Sequence, residues 1–430
     1  MGKRHLKIIF LLILSITILS CGRDRPPKKI VSTNILTTEQ PIEISKINFY
    51  FENSLSMNGY LDGEKFRQAM GKIIHKVEKD SFDSYFVNST VYPTKDILNK
   101  IRKKQISTTG IGSSDHEFIF TNAIKNSNDN NLSIVVTDGI YSVSDGNIAD
   151  VEVDIEDAFI DALKINEIET VVVKMSSNFK GRYYSESCPK KGGTKIDQER
   201  PYYILLFGNK DVINKALDEI VVIDDLEGFQ EQARFFITKN LKVDYSVLTQ
   251  GEEKKGKFKS INHSSIVRKI KDAEKFSQKG ILLKDRFLQF GIAVDYSSLS
   301  IPDSYFLDTT NYSVEDNTGY KIIEIKEVEK LSKKSKSYEW IEKLNKKEKY
   351  NYSHLLVVKA KTKLYGDFKI DLGINFPAWI AETGTANDCN IINSDNTTFA
   401  FDRLMNGISK AYESVNTNKD FFKLEINIKP

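Results

Sequence analysis

The strongest constraint on the fold is an alternation of short apolar runs with segments of helical spacing. Apolar runs typical of buried strands lie at residues 47–51, 132–136 and 170–173. Residues 64–77, between the first two runs, place apolar side chains on one side of a helix. Such an alternation is accommodated when parallel strands form a sheet with helices on both faces. The sequence therefore predicts an α/β fold with a doubly wound, mostly parallel sheet over residues 45–245.

The pattern changes beyond about residue 246. The apolar runs at residues 290–296, 355–360 and 368–376 alternate with polar residues, and one helix is expected at residues 399–414. Alternation with a period of two is typical of half-buried strands. We therefore predict a β-rich C-terminal domain over residues 246–430, and a sandwich is one arrangement that such strands form.

The first twenty residues have the organisation of a signal peptide. Three basic residues precede an apolar run at residues 8–19, which is too short to span a bilayer comfortably. The run ends in Leu-Ser-Cys-Gly at residues 19–22, which resembles the lipobox of bacterial lipoproteins. The alternative is a plain signal peptide, or an uncleaved anchor, that ends in a cysteine by chance.

The lipobox resemblance implies that residues 1–20 are removed and that acyl chains are attached to Cys21. Residues 21–44 lack periodicity and read as a flexible tether. We therefore expect a protein of the bacterial cell envelope, held to a membrane on its periplasmic side or at the cell surface by lipid on Cys21.

Composition excludes some functions. The chain has 62 basic and 59 acidic residues, and residues 1–20 contain three of the basic ones and none of the acidic ones. The mature protein is therefore near neutrality, which argues against a nucleic-acid partner. After lipidation only Cys188 and Cys389 remain, and the sequence has no Cys/His set with zinc spacing. Cys188 and Cys389 could pair in an oxidising compartment, but two separate loop thiols are the default expectation.

Polar residues follow two of the predicted strands. The first strand runs into a loop with Glu52, Ser54 and Ser56, and the strand ending at residue 136 runs into Asp138 within Thr-Asp-Gly. Between them, a Ser/Thr-rich loop ends at Ser114, just before a predicted helix. Ligands of open parallel sheets bind at the edge where the strands end, so we expect these residues to lie together.

This arrangement resembles the metal-ion-dependent adhesion site of von Willebrand factor A domains. That site combines an Asp-x-Ser-x-Ser sequence after the first strand, a Thr from a middle loop and an Asp from a later strand end. Glu52, Ser54 and Ser56 correspond to the first element, with Glu in place of Asp, and Asp138 corresponds to the last. The resemblance covers about residues 45–240.

The Thr of the middle loop has no unambiguous counterpart. Thr109, Ser113 and Ser114 are candidates. We prefer Ser114 because Ser114 and Glu117 form a capping-box pattern at the start of the predicted helix over residues 116–125.

The resemblance implies that Glu52, Ser54, Ser56, Ser114 and Asp138 hold Mg²⁺, with one coordination position left for an acidic residue of a partner protein. Mg²⁺ prefers oxygen ligands and demands accurate geometry, and Glu is one methylene longer than Asp. The alternative is therefore a site without an ion, in which the hydroxyls cap helices and Asp138 accepts hydrogen bonds from loop amides.

Three functions are compatible with these features. The preferred one is a membrane-anchored, protein-binding or adhesion-type lipoprotein without enzymatic activity. The second is a metal-free scaffold of the cell envelope. The third is a metal-dependent hydrolase of phosphate or sulfate esters, with His116 and Glu117 as ligand or base, although the several Asp and His ligands of a two-metal site are missing from the sequence.

Overall fold

The computed structural model describes most of the chain from residue 42 onward. The described ranges are 42–78, 82–106, 114–142, 148–238, 243–261, 265–297, 299, 301–314, 319–348, 350–374, 376–394, 396–416 and 420–430. The predicted signal peptide, Cys21, Thr109 and Ser113 lie outside these ranges.

The first half of the body is built on a seven-stranded sheet in the order β3-β2-β1-β4-β6-β5-β7. Its strands are β1 (Lys46–Glu52), β2 (Phe82–Val87), β3 (Val91–Thr94), β4 (Asn131–Thr137), β5 (Glu169–Tyr183), β6 (Thr194–Gly208) and β7 (Phe229–Phe235). Its helices are α1 (Glu64–Val77), α2 (Ile97–Arg102), α3 (His116–Lys125), α4 (Ile148–Ile165) and α5 (Lys210–Lys215). The α/β class predicted from the sequence is confirmed.

The prediction of a mostly parallel sheet is wrong. Only β1 pairs in parallel, with β2 on one side and β4 on the other. β3, β6, β5 and β7 all join in antiparallel pairs. For β5 and β6 the reason is that the chain connects them through a loop at residues 184–193, and adjacent strands joined without a crossover helix run antiparallel.

The C-terminal half contains a five-stranded sheet in the order β12-β15-β18-β10-β9 and a four-stranded sheet in the order β13-β14-β11-β8. The strands are β8 (Tyr245–Val247), β9 (Lys257–Ser260), β10 (Lys269–Glu274), β11 (Leu288–Val294), β12 (Tyr312–Val314), β13 (Tyr320–Glu327), β14 (His354–Ala360), β15 (Gly366–Gly373), β16 (Gly384–Thr385), β17 (Thr398–Phe399) and β18 (Asp420–Ile428). The helices are α6 (Asp303–Leu307), α7 (Lys336–Glu348), α8 (Ala378–Thr383) and α9 (Phe401–Val415). Both larger sheets contribute to one hydrophobic core, in which Phe290 and Leu356 of one sheet join Ile370 and Leu424 of the other.

The chain returns to the first sheet near its end. Helix α9 packs against α4, and its apolar face, including Leu404 and Ile408, belongs to the core of the seven-stranded sheet. A Cβ atom on Gly407 would lie 2.6 Å from the carbonyl oxygen of Glu152 on α4, so only glycine permits this close approach. The sequence predicts this helix as part of the C-terminal domain, whereas in the structure it packs on the first sheet.

All described residues belong to one compact unit. Within that part of the chain, no helix is both long enough and apolar enough to cross a membrane.

Candidate functional site

A pocket of about 200 Å³ lies where β1 and β4 end. Among the described residues, it is lined by Glu52, Ser54, Leu55, Ser56, Ser114, Asp138, Ile140, Ser142, Tyr184 and Glu186. All five residues that the sequence singled out therefore line one pocket. They meet because β1 and β4 are adjacent and parallel, so their carboxyl ends share one edge of the sheet.

Glu52, the last residue of β1, is almost completely buried, with 1% of its surface exposed. Its Oε1 atom accepts a hydrogen bond of 2.6 Å from the Ser114 hydroxyl. Its Oε2 atom accepts hydrogen bonds from the Thr137 hydroxyl and, at 3.3 Å, from the Asp138 backbone N–H. The longer Glu side chain thus ties the ends of β1 and β4 and the start of α3 together.

Two serine hydroxyls lie beside Glu52 in the loop after β1. The Oγ atoms of Ser54 and Ser56 are 3.0 Å apart, and the Met57 backbone N–H donates to Ser54 Oγ at 3.4 Å. A 3₁₀ helix begins at Ser56 and turns the chain, which directs both hydroxyls to the same pocket.

Asp138 is the second buried carboxylate of the pocket. Its Oδ1 atom accepts a hydrogen bond of 3.1 Å from the Ile140 N–H, whereas its buried Oδ2 atom has no hydrogen-bond partner among the residues that the structure describes. Burial, followed by the charge of Glu52, raises the pKa of Asp138 to about 8. The neighbouring Ser56 hydroxyl, the Ile140 N–H and the charge of Arg200 act in the opposite direction.

The backbone conformation at position 139 explains why the Thr-Asp-Gly sequence contains a glycine. Gly139 adopts φ = +71°, a conformation that side chains other than glycine rarely take. A Cβ atom there would also lie 2.7 Å from the ring of Tyr203. Gly139 therefore permits the turn that places Asp138 in the lining of the pocket.

His116 is buried behind the pocket. Its Nε2 atom lies 3.1 Å from the Thr137 hydroxyl and 4.0 Å from Glu52 Oε2. Burial lowers the pKa of His116, although the nearby Glu52 opposes this effect. Neither His116 nor the exposed Glu117 is among the described residues that line the pocket.

The predicted capping box at α3 is wrong. The side chain that caps α3 belongs to Asp115, whose Oδ1 atom accepts a hydrogen bond of 2.9 Å from the Phe118 N–H. The Ser114 hydroxyl donates to Glu52 instead. The Ser114 hydroxyl therefore binds a carboxylate of the pocket and does not cap α3.

Sequence reasoning missed the outer side of the pocket. Tyr184 and Glu186 come from the loop between β5 and β6, and Ser142 donates a hydrogen bond of 3.0 Å to Glu186 Oε1. No local pattern indicated them, because the loop is brought to the pocket by the long β5–β6 hairpin. Glu186 is a third carboxylate that lines the same pocket as Glu52 and Asp138.

The expectation of two separate thiols is also wrong. Cys188, in the same loop, forms a disulfide with Cys389, which is 201 residues away in sequence. Both cysteines lie at the surface. The bond joins the β5–β6 loop to the segment between β16 and β17.

The pocket contains oxygen atoms of the kinds that hard divalent ions bind. Within the described ranges, no group of three or more His, Cys, Asp or Glu side chains is arranged to hold a metal. The oxygen atoms in this pocket belong to carboxylates, including Asp138, and to serine hydroxyls. This set suits Mg²⁺, which accepts hydroxyl oxygens and retains several water ligands.

Scans of protein-family models, curated proteins and solved structures find no match to this chain. Its function must therefore be inferred from the site itself.

Proposed function

We propose that this chain is a lipid-anchored binding protein of the bacterial cell envelope, which engages a protein partner through a Mg²⁺ ion held in the pocket. One observation carries the proposal: Glu52, Ser54, Ser56, Ser114 and Asp138, chosen from the sequence for their likeness to an adhesion site, line one pocket. The buried carboxylate of Asp138 supports it further. Among the described residues its Oδ2 atom has no partner at full hydrogen-bond geometry, and the Ser56 hydroxyl interacts with the carboxylate, whereas a buried polar atom ordinarily has a partner.

We further propose a von Willebrand factor A-like fold for residues 45–245. The strand order β3-β2-β1-β4 supports it, since the order 3-2-1-4 with ligands at the carboxyl edge is typical of doubly wound sheets. The antiparallel direction of β3 and the antiparallel β5–β6 hairpin are departures from that mostly parallel pattern. The core shared by the two C-terminal sheets favours a sandwich-like body, which would serve as a stalk or a second contact surface.

In this proposal some of the pocket residues bind the ion directly and others do not. Asp138 Oδ2 and the hydroxyls of Ser54 and Ser56 would bind the ion directly. Glu52 would not bind the ion directly, because both of its carboxylate oxygens already accept hydrogen bonds from the protein. An acidic residue of the partner protein would complete the coordination.

The membrane location is proposed from the sequence. The apolar run at residues 8–19 and the lipobox-like residues 19–22 support an acyl anchor on Cys21. Several acyl chains bind a bilayer firmly, since each buried methylene contributes about 0.8 kcal/mol.

Binding is favoured over ester hydrolysis by the position of the candidate base. His116 is buried behind Glu52, with its Nε2 atom facing Thr137, and Glu117 is exposed away from the lining of the pocket. A general base must reach the substrate directly or through one water molecule. The pocket residues instead offer oxygen atoms suited to an ion.

Calorimetric titration with Mg²⁺ and Mn²⁺ tests the proposal. The protein is the mature chain, residues 21–430, with Cys21→Ser so that no lipid is attached. This protein, with the wild-type body at all other positions, should bind either ion, and a further Asp138→Ala substitution should abolish binding. Ser133→Ala is the matched control, because Ser133 is a buried serine on β4 that does not belong to the lining of the pocket. Failure of the wild-type body to bind either ion would exclude the metal-dependent function and leave the metal-free scaffold.

A further inference from the structure

The outer wall of the pocket is held from a distant part of the chain. Tyr184 and Glu186 reach the pocket from the loop between β5 and β6. This loop is held by Asp388, which lies in the segment between β16 and β17. Only 1% of the surface of Asp388 is exposed.

Asp388 binds the loop through both carboxylate oxygens. Its Oδ1 atom accepts hydrogen bonds from the Ser185 hydroxyl at 2.7 Å and the Ser187 N–H at 2.9 Å. Its Oδ2 atom accepts from the Tyr183 hydroxyl at 2.9 Å and the Glu186 N–H at 3.0 Å. One carboxylate therefore fixes the backbone on both sides of the Glu186 side chain.

The ionised form of Asp388 is the one that fits these four donors. Burial by itself raises the pKa of this carboxyl, but the four hydrogen bonds outweigh burial and hold the pKa below its usual value. An amide in its place would keep only one accepting oxygen and would turn an NH₂ group toward two donors. Asp388→Asn is therefore expected to release the loop.

The disulfide acts at the same place. Cys188 follows Glu186 by two residues, and Cys389 follows Asp388 directly. The covalent bond and the carboxylate thus join the same two segments at adjacent positions.

We propose that Asp388 and the Cys188–Cys389 disulfide are positioning elements that hold Glu186 at the pocket, where its carboxylate strengthens the binding of a divalent cation. This inference rests on the proposed function, since it concerns the same pocket. In this proposal Glu186 would act through water ligands of the ion, since Glu52, Asp138 and Glu186 line one pocket but do not form a direct metal-ligand group within the described residues. A group in that outer position orients the bound waters and adds negative charge, and its loss typically weakens metal binding about 10- to 100-fold.

The test is calorimetric titration with Mn²⁺ at pH 7.5 on the mature chain with Cys21→Ser. Glu186→Gln, Asp388→Asn and the double variant Cys188→Ser/Cys389→Ser should each weaken Mn²⁺ binding, by about 10- to 100-fold for Glu186→Gln. Circular dichroism and thermal unfolding of each variant establish that it is folded.

A second variant separates positioning from general structural damage. If Asp388 acts through Glu186, Glu186→Gln/Asp388→Asn should bind Mn²⁺ as weakly as Glu186→Gln alone, because effects on one coupled element are not additive. The matched control is Asp295→Asn. Asp295 holds another loop through hydrogen bonds of 2.9 Å from the N–H groups of Ser297 and Asn351, and it does not belong to the pocket lining. Asp295→Asn should lower the thermal stability of the protein without changing its Mn²⁺ affinity.

The outcomes are distinct. If the wild-type body binds no Mn²⁺, the proposed function fails and this inference fails with it. If the wild-type body binds and Glu186→Gln binds equally well, this inference is overturned while the proposed function stands. If Glu186→Gln weakens binding but Asp388→Asn and the disulfide variant do not, the positioning role of Asp388 and the disulfide is refuted.

Discussion

Replacing Asp138 with Asn should remove a pH-dependent loss of stability. The pKa of Asp138 is raised from its usual 3.8 to about 8 in the folded protein, first by burial and then by the charge of Glu52. Between these two values the folded state keeps a proton that the unfolded state has released. The free energy of unfolding must therefore fall as the pH rises through this window. The fall is about 1.4 kcal/mol for each pH unit, on the order of 4 kcal/mol between pH 5 and pH 8.

Urea unfolding of the mature chain in EDTA, at pH 5 and at pH 8, measures this effect. An amide at position 138 does not ionise, so Asp138→Asn should gain on the order of 4 kcal/mol relative to wild type between pH 5 and pH 8. Titratable groups that do not interact with Asp138 are present in both proteins and cancel in the difference. Glu52, whose charge acts on Asp138, contributes to the measured difference together with it. Mg²⁺ at pH 8 should reduce the gain, because a bound cation favours the ionised form of Asp138.

Asp388→Asn is the matched control with the opposite sign. The pKa of Asp388 is lowered, because its hydrogen bonds outweigh the effect of burial. Its contribution to stability is therefore present above the unfolded pKa and is lost only as the pH falls through the lower, folded pKa. Asp388→Asn should destabilise the protein at both pH 5 and pH 8. The reasoning about Asp138 is refuted if the difference between wild type and Asp138→Asn is the same at both pH values.

Three further substitutions have expected effects on the free energy of urea unfolding. Gly139→Ala should cost about 1–3 kcal/mol, because the positive φ and the ring of Tyr203 oppose a Cβ atom. Ser114→Ala should cost about 2 kcal/mol, since it removes a hydrogen bond to the buried carboxylate of Glu52. Ile408→Ala should cost about 2–5 kcal/mol, because this fully buried side chain joins α9 to the core of the first sheet; an effect below 1 kcal/mol would contradict that packing.

Much of the site was predictable because it follows from local sequence and one rule of sheet geometry. Glu52 and Asp138 each come directly after or at the end of an apolar run, and such runs form buried strands. Once β1 and β4 are adjacent and parallel, their carboxyl ends must lie on one edge. Helix α1 over Glu64–Val77 was predictable for a similar reason, since its apolar spacing records which side is buried.

Apart from the capping residue of α3, the errors concern which segments meet. The apolar runs that form β5 and β6 show that both strands are buried, but a buried strand can pair in either direction. The helix near residue 400 was predicted from its spacing, yet nothing in that spacing says that it returns to the first sheet. A cysteine in a polar loop likewise does not reveal a partner 201 residues away.

The sequence by itself thus determined the types of elements and the inner wall of the pocket, formed by Glu52, Ser54, Ser56 and Asp138. Only the tertiary structure decided the outer wall, where Glu186 faces the pocket on a loop held by Asp388. The physical reason is that periodicity and side-chain type record how each residue meets solvent and its near neighbours. Contacts between distant segments depend on the path of the whole chain, which no local pattern encodes.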